Sequence, residues 1–317
     1  MNGLSTITTQ SISFKKVIDL AKNVAKTDVT VLLTGETGTG KEVIAHAIQN
    51  DSNRSEQAFL KLNCAALPHD LIESELFGHQ QGAFTGAVKN QKGLLISAHN
   101  GTLFLDEVDS LPKSIQGKLL HFLDSGEFIP LGTSQSIHVD IRIVAATNAD
   151  LVDLVKKGLF RADLYFRLNV FPIHLPRLID RDEDIEILIQ QFFDQFEQTY
   201  RIKPPTFSKK SLRILKNYKW LGNIRELKNI CEKFSILHSG KVIESHDLPE
   251  YFKTNCREST ETAWVLPENG LDLDEIQLRF IRQALDRTQG SLIQSAKLLG
   301  ISRYTLRYRM KRYGIVK

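Results

Sequence analysis

VTVLLTGETGTGKEVIAHAIQN, residues 29–50, decides the fold of this 317-residue chain. VTVLL (29–33) is a short run of β-favouring residues, and KEVIAHAIQN has helical spacing. Between them, GETGTGKE (35–42) carries G-x-x-x-x-G-K, the first seven positions of the phosphate-cradling loop that ends in Ser or Thr. Gly35, Gly38 and Gly40 let the backbone bend so that its N–H groups point at one anion. Lys41 adds positive charge at the β/γ-phosphates, and the helix behind it presents its N-terminal dipole. The motif sits between a strand and a helix, as that mechanism requires. Gly35, Glu36, Thr37, Gly38, Thr39, Gly40, Lys41 and Glu42 are therefore the expected ATP-binding element. Glu42 stands where the general pattern has the magnesium-binding hydroxyl, so Mg2+ must be held largely by water, phosphate and another carboxylate.

Working outward, the body alternates strand-like and helix-like patterns. AFLKLN (58–63), GTLFLDE (101–107) and IRIVAATN (141–148) read as strands, and LPKSIQGKLLHFLDSG has helical spacing. Short apolar strands separated by helices imply an α/β class with a parallel sheet flanked by helices. Asp106 closes one strand and can orient Mg2+, and Glu107 can act as base for the attacking water. Both fall at the C-terminal end of a parallel strand, where open α/β sheets bind ligands. Asn148 ends another strand and suits either a hydrogen bond to the γ-phosphate or water, or a cap for ADLVDLVKK. FRADLYFRL (160–168) places Arg161 and Arg167 six apart; in a ring-forming hydrolase one of them could reach a neighbour's γ-phosphate.

After about Leu175 the pattern turns helical: DEDIEILIQQFFDQFEQTY, SKKSLRILKNY and NIRELKNICEKFSIL. The last of these puts Arg225 at the start of a lid helix, where it could sense nucleotide from above. The expected division is 1–175 for the nucleotide-binding part, 176–252 for the lid, 253–270 for a linker and 271–317 for a basic tail. From Leu271 to Lys317 ten Lys/Arg stand against four Asp/Glu, so of the net +4 the tail holds +6 and the body −2. That split points to a polyanion-binding C-terminus. In the tail, SLIQSAKLLG precedes a turn at Gly300, and Ser302 caps SRYTLRYRMKRYG. Ser302, Arg303, Tyr304, Thr305, Arg307, Tyr308, Arg309, Lys311 and Arg312 are the expected DNA-binding residues, and Leu306 and Met310 face the core.

No run of about 18 apolar residues appears, so no membrane span is expected. The N-terminus lacks a secretory pattern, and Cys64, Cys231 and Cys256 show no metal-ligand spacing, which together suggest a cytoplasmic protein with reduced thiols. One stretch resists this account. GAFTGA (82–87) is uncharged and glycine-flanked, yet it places Phe84 and Thr85 where a loop tip should be. Taken by itself it reads as a turn whose Phe tucks into the core.

These motifs in order resemble the bacterial enhancer-binding proteins, the AAA+ ATPases that activate sigma-54 RNA polymerase. The resemblance runs from about residue 5 to 317 through GETGTGKE, NCAAL, ESELFGH, GAFTGA, GTLFLDE, FRADLYFRLNVFPI, GNIRELKN and a Fis-like helix-turn-helix. It implies an AAA+ core with a helical lid, ATP and Mg2+ as cofactors, and assembly from dimer to hexamer ring. It also implies that Gly82, Ala83, Phe84, Thr85, Gly86 and Ala87 contact sigma-54, with Phe84 and Thr85 touching it. Asn63 in LNCAAL matches the family's switch asparagine, coupling Glu107 to that loop. A small uncharged tip can enter a partner's apolar surface without desolvating a charge. Two departures stand out. Leu221 replaces the family's Pro before Gly222 and Asn223, which is expected to loosen the start of the lid helix. The first core helix begins by about residue 14, so a layout without an N-terminal sensory domain is expected, controlled by an inhibitor or partner protein or by expression level.

The expected function is an ATP-driven activator that binds enhancer DNA and remodels the sigma-54 RNA polymerase holoenzyme. The rivals are a DNA-binding regulator whose ATPase senses nucleotide without driving anything, and a remodelling ATPase of another kind, which would leave GAFTGA without a purpose.

Overall fold

The structure is a computed structural model that describes residues 3–83, 87–254 and 272–315. Of the linker expected at 253–270, residues 253 and 254 end a short helix (Tyr251–Thr254) and the rest lie outside the described residues, as do Phe84, Thr85, Gly86 and Cys256. The chain divides into two compact units, 1–257 and 258–317.

The first unit opens with α1 (Ile12–Ala25), β1 (Val31–Thr34), α2 (Lys41–Asn50), β2 (Phe59–Asn63) and α3 (His69–Phe77). A two-residue antiparallel ribbon, β3 (Gly78–His79) with β4 (Gln91–Lys92), follows, and then α4 (Leu94–Ser97), β5 (Thr102–Asp106) and α5 (Lys113–Ser125). A second ribbon pairs β6 (Glu127–Phe128) with β7 (Ile137–His138) and leads to β8 (Arg142–Thr147), α6 (Leu151–Lys156), α7 (Ala162–Leu168) and β9 (Phe171–His174). Five of these strands form one sheet in the order β2-β5-β8-β1-β9, with every pairing parallel.

Period-two alternation along these strands sorts their side chains onto two faces. Leu32, Leu103, Leu105, Ile143 and Ala145 pack on one face against Ile115 and Leu119 of α5 and Leu164 and Leu168 of α7. Val31, Leu33, Phe104, Val144 and Ala146 pack on the other, beneath Phe14, Val17 and Ala21 of α1 and Ile44 and Ile48 of α2. Apolar residues on both faces are what an internal parallel sheet requires. The register sets Thr34 beside Thr147 and Asn63 beside Asp106, so the strands end level, and the residues that follow them share one edge.

The lid contains α8 (Asp184–Tyr200), β10 (Thr206–Phe207), α9 (Lys209–Asn217), α10 (Asn223–Leu237), β11 (Val242–Ile243) and α11 (Tyr251–Thr254). It is not wholly helical, because β10 and β11 pair in parallel. Its core is aromatic: Phe193, Phe196, Tyr218, Trp220, Phe234 and Phe252 pack together. The second unit is α12 (Leu273–Arg287), α13 (Leu292–Leu298) and α14 (Arg303–Arg312) around Ile281, Ala296, Leu306 and Met310. No helix among the described residues is long and apolar enough to cross a membrane.

Candidate functional site

The turn after β1 and the first turn of α2 line a cavity of about 960 Å³ that the lid completes. Thr37, Gly38, Thr39, Gly40, Lys41 and Glu42 form its floor, Asp106 and Glu107 one wall, and Ile224, Arg225, Lys228 and Asn229 of α10 the roof. Gly40 sits at φ 101°, a left-handed conformation open to glycine, and so breaks directly into the helix. Gly38 (φ 78°) is demanded by contact as well, since a Cβ there would lie 2.2 Å from the carbonyl oxygen of Gly222 in the lid.

Lys41 is buried, and its Nζ donates to the carbonyls of Gly35 (2.6 Å) and Glu36 (3.0 Å). Burial lowers its pKa, while the negative charges of Asp106, Glu107 and Asp109 oppose that shift. Asp106 mirrors it: burial raises its carboxyl pKa and Lys41 pulls it back. An ammonium and a carboxylate, both half-desolvated and facing one cavity, are placed to meet a charged ligand. Glu107 is held at φ 54°, a costly conformation for a residue with a side chain, and its N–H donates to Asp106 Oδ1 at 3.1 Å. Glu42 turns away to pair with Lys61 at 2.7 Å. No cluster of three or more His, Cys, Asp or Glu side chains able to hold a metal occurs among the described residues. Asp106, half-buried at the cavity wall beside Lys41, is a carboxylate that could face a cation carried by a phosphate ligand.

Asn148 is not the cap of α6. Asp150 takes that role, its carboxylate accepting from the N–H groups of Val152 and Asp153, because it is the residue immediately before the helix. Asn148 instead donates to Thr37 Oγ1 at 2.9 Å, so it joins the phosphate loop. Asn63 Oδ1 accepts from the N–H groups of Ala65 (2.9 Å) and Ala66 (3.1 Å) in its own turn, which fixes the carboxamide at the end of β2. Arg161 pairs with Asp163, and Arg167 reaches the Leu123 carbonyl and Asp124. Both are exposed and neither lines the cavity of its own chain.

The looser lid-helix start expected from Leu221 is not found. Gly222 N–H donates to Glu226 Oε2 (2.9 Å), and Asn223 is fully buried with its Oδ1 accepting from Leu178 N–H (2.8 Å). These bonds secure the turn without proline, and Leu221 projects into solvent. The sequence reading missed Arg181 and Asp184. Arg181 is buried in the cavity wall, stacks over Phe14 at 4.1 Å and donates to the Thr39 carbonyl at 2.8 Å. Desolvation pulls its pKa down to about 10. Asp184 accepts from Thr9 Oγ1 and the N–H groups of Gln10 and Ser11, fixing the N-terminal segment beside the cavity. Charged residues at the head of an amphipathic helix give no sign of burial in the sequence; only the three-dimensional contacts identify them.

At the loop 82–87, Gly82 N–H donates to the Ala87 carbonyl (3.0 Å), and Ala83 packs on Gly132. Ala87 is buried at the loop's root. The root is tied to the turn after β6, since Gln80 N–H donates to Leu131 O and Leu131 N–H to Gly78 O.

In the second unit, Ser302 Oγ caps α14 by accepting from Thr305 N–H. Tyr304 and Tyr308 are 85% and 70% exposed, and with Arg307 and Lys311 they form one stripe opposite Leu306 and Met310. Arg312 departs from that stripe and pairs with Asp274 of α12 at 2.8 Å, so it braces the unit. Tyr313 reinforces this brace, its hydroxyl donating to Asp274 and Gln277.

Residues 7–174 match the model of the sigma-54 interaction domain. The chain belongs to the sigma-54 interaction domain family. Within this family member, residues 179–264 match an AAA+ ATPase lid domain and 272–313 the Fis family of bacterial regulatory proteins. The phenol regulator MopR of Acinetobacter guillouiae is 44% identical over 309 residues, covering 96% of this chain and 55% of that protein. The chain thus spans little more than half of that relative. A protein described as uncharacterized, in the HyuA 5' region of Pseudomonas sp. (strain NS671), is 44% identical over 283 residues, covering 89% of this chain and 95% of its own length. Among solved structures, NtrX from Brucella abortus in complex with ATP superimposes with TM-score 0.73 at 28% identity, over 98% of this chain and 69% of that one.

Proposed function

We propose that the chain is a sigma-54-dependent transcriptional activator that hydrolyses ATP at the cavity under its lid, binds enhancer DNA through α14, and transmits the chemistry to sigma-54 through the loop 82–87. The division of labour is 1–175 for nucleotide binding, 176–252 for the lid and 271–317 for DNA. The observation that carries the proposal is the convergence of Lys41, Asp106, Glu107 and Arg225 on one cavity in a member of this family.

The carbonyl oxygens that hold Lys41 Nζ are replaceable by β- and γ-phosphate oxygens, which would give the ammonium anionic partners at hydrogen-bond distance. Glu107 takes the proton of the water that attacks the γ-phosphorus; the P–O bond to the β-phosphate breaks, and ADP leaves with Lys41 balancing its charge. Bound magnesium, with Asp106 as its protein ligand, would supply positive charge to the bridging phosphates. Asn148 positions Thr37 of the phosphate loop and, through it, the terminal phosphate. Arg225 reaches the cavity from the lid of the same chain, whereas Arg161 and Arg167, exposed and outside that cavity, are available for one of them to reach a neighbouring protomer's γ-phosphate. That role needs a ring of protomers, which is part of the proposal. On α14, arginine and tyrosine side chains read base edges in the major groove and hold phosphate.

The test is open-complex formation on a sigma-54 promoter with purified sigma-54 polymerase and ATP, comparing the wild type with Thr85→Ala. Promoter opening by the wild type, with a variant that hydrolyses ATP but opens nothing, is the expected result. ATP turnover without opening by the wild type would remove sigma-54 as the target. No turnover under any condition would leave a nucleotide-sensing DNA-binding regulator.

A further inference from the structure

Three consecutive carbonyls of the phosphate loop are held by donors from the lid. Asn223 Nδ2 donates to Thr37 O at 3.0 Å, Ile224 N–H to Gly38 O at 2.9 Å, and Arg181 Nη2 to Thr39 O at 2.8 Å. Asn223 Nδ2 also lies 3.3 Å from Glu36 Oε2, and its Oδ1 accepts from Leu178 N–H. The contact is tight enough that Gly38 has no room for a Cβ beside Gly222.

A trans peptide points its C=O and the following N–H in opposite directions. Fixing the carbonyls of residues 37, 38 and 39 toward the lid therefore turns the N–H groups of Gly38, Thr39 and Gly40 away from it. Those are the groups a phosphate loop needs to aim at its anion. Of them, Thr39 N–H makes only a long 3.4 Å contact to Glu36 O, which is readily given up. The donors are stiffly held. Asn223 is buried in a left-handed conformation (φ 50°), a strain that its three side-chain bonds repay. Arg181 is clamped on the ring of Phe14.

We infer that Asn223 and Arg181 are positioning residues of the nucleotide site: they preorganise the phosphate loop from the lid, so that nucleotide affinity depends on lid docking. This inference rests on the nucleotide-site reading above. Neither residue touches the nucleotide in this role; each acts through a loop carbonyl. The same bonds work in reverse, since a phosphate that shifts the loop must also shift the lid, and α10 carries Arg225 with it.

The experiment is ADP binding by calorimetry to the full chain, with Asn223→Asp and Arg181→Lys, together with steady-state ATPase kinetics and nucleotide-free melting. Asn223→Asp keeps the acceptor for Leu178 N–H but loses the donor to Thr37 O. Arg181→Lys keeps the charge but loses the planar guanidinium that stacks on Phe14 and aims Nη2 at Thr39 O. Each is expected to raise the Kd for ADP and the KM for ATP by about five- to tenfold, the worth of one positioned hydrogen bond, with a smaller change in kcat. A residue that merely held the fold together would lower the melting temperature and leave Kd and KM in the folded protein unchanged. Both variants binding ADP within twofold of the wild type would overturn the inference. If Asn223→Asp does not fold, Arg181→Lys decides. In the wild type, slow exchange of the Ile224 amide without nucleotide is also expected, and exchange at the rate of an unbonded amide would count against the clamp. A wild type that binds no ADP at all would instead sink the nucleotide-site reading, and the inference with it.

Discussion

Replacing Trp220 by alanine should unfold the lid and abolish nucleotide binding from a distance. Trp220 is 1% exposed, and its indole N–H donates to the Leu215 carbonyl at 2.9 Å. Its ring meets Tyr218 edge-on at 5.1 Å and Phe252 at 5.7 Å. Truncating a buried tryptophan costs about 3–5 kcal/mol. Losing the indole's hydrogen bond adds about 1 kcal/mol, although the Leu215 carbonyl keeps the Tyr218 N–H at 3.3 Å. The sum, roughly 4–6 kcal/mol, is comparable to the whole stability of a typical domain, about 5–15 kcal/mol. Trp220→Phe keeps an aromatic ring against Tyr218 and Phe252 and gives up the N–H, so it should cost only about 1–2 kcal/mol. Urea unfolding followed by far-ultraviolet circular dichroism is the suitable assay, because Trp264, the chain's second tryptophan, would confuse a fluorescence signal. ADP binding measured on the same samples connects the packing to the site: Asn223, three residues on, can hold the phosphate loop only while the lid is folded. The reasoning fails if Trp220→Ala loses less than about 1.5 kcal/mol, or if it unfolds the lid while ADP affinity stays at the wild-type value.

Other outcomes follow from the same geometry. Glu107→Gln should lower kcat for ATP by about 10²–10⁴-fold while leaving ADP affinity intact, since it removes the base and keeps the shape; an equal loss of affinity in calorimetry would contradict that role. Burial raises the Asp106 pKa above the ordinary 3.8, so hydrolysis should be full above the raised value and fall as pH drops through it. The stability contribution has the opposite sign, because the folded state binds this proton more tightly than the unfolded state does and gains on acidification. A pH–rate profile set beside a pH series of melting temperatures separates the two. Ser302→Ala removes the bond that caps α14 and should destabilise the second unit by about 1 kcal/mol, read as a lower melting temperature and weaker DNA binding.

The sheet was legible because its strands are short apolar runs separated by helical patterns, and the glycine loop fixed where the edge used for binding must lie. Thr37 to Lys41, Asp106 and Glu107 do line one cavity: the loop's own spacing is local, and the acids were marked by closing a strand of the same sheet about 65 residues on. The contributions that escaped are those made across the lid boundary. Arg181 and Asp184 lie in LIDRDEDI, a string of charges that looks like a solvated helix start, and their burial depends on Phe14, Thr9 and Ser11 more than 160 positions earlier. Asn148 read more readily as a cap because asparagine commonly caps a helix, and Asp150 takes that role by standing two positions closer to α6. Leu221 looked like a defect when compared residue by residue with the family pattern. The turn is secured by the Glu226 carboxylate and the buried Asn223 amide, neither of which needs a proline.

The second unit has a thin interior: Ile281, Ala296, Leu306 and Met310, with a few half-buried neighbours, hold three short helices. A segment this small buries too little apolar surface to stand far above the cost of ordering its chain. Whatever binds its folded form then becomes part of its folding equilibrium, adding about 2.7 kcal/mol at a hundredfold excess over Kd. Under the proposed DNA-binding role that ligand is the operator. Copies seated on DNA would be protected from proteolysis and free copies exposed to it, so the number of operators would help to set how much intact regulator a cell keeps.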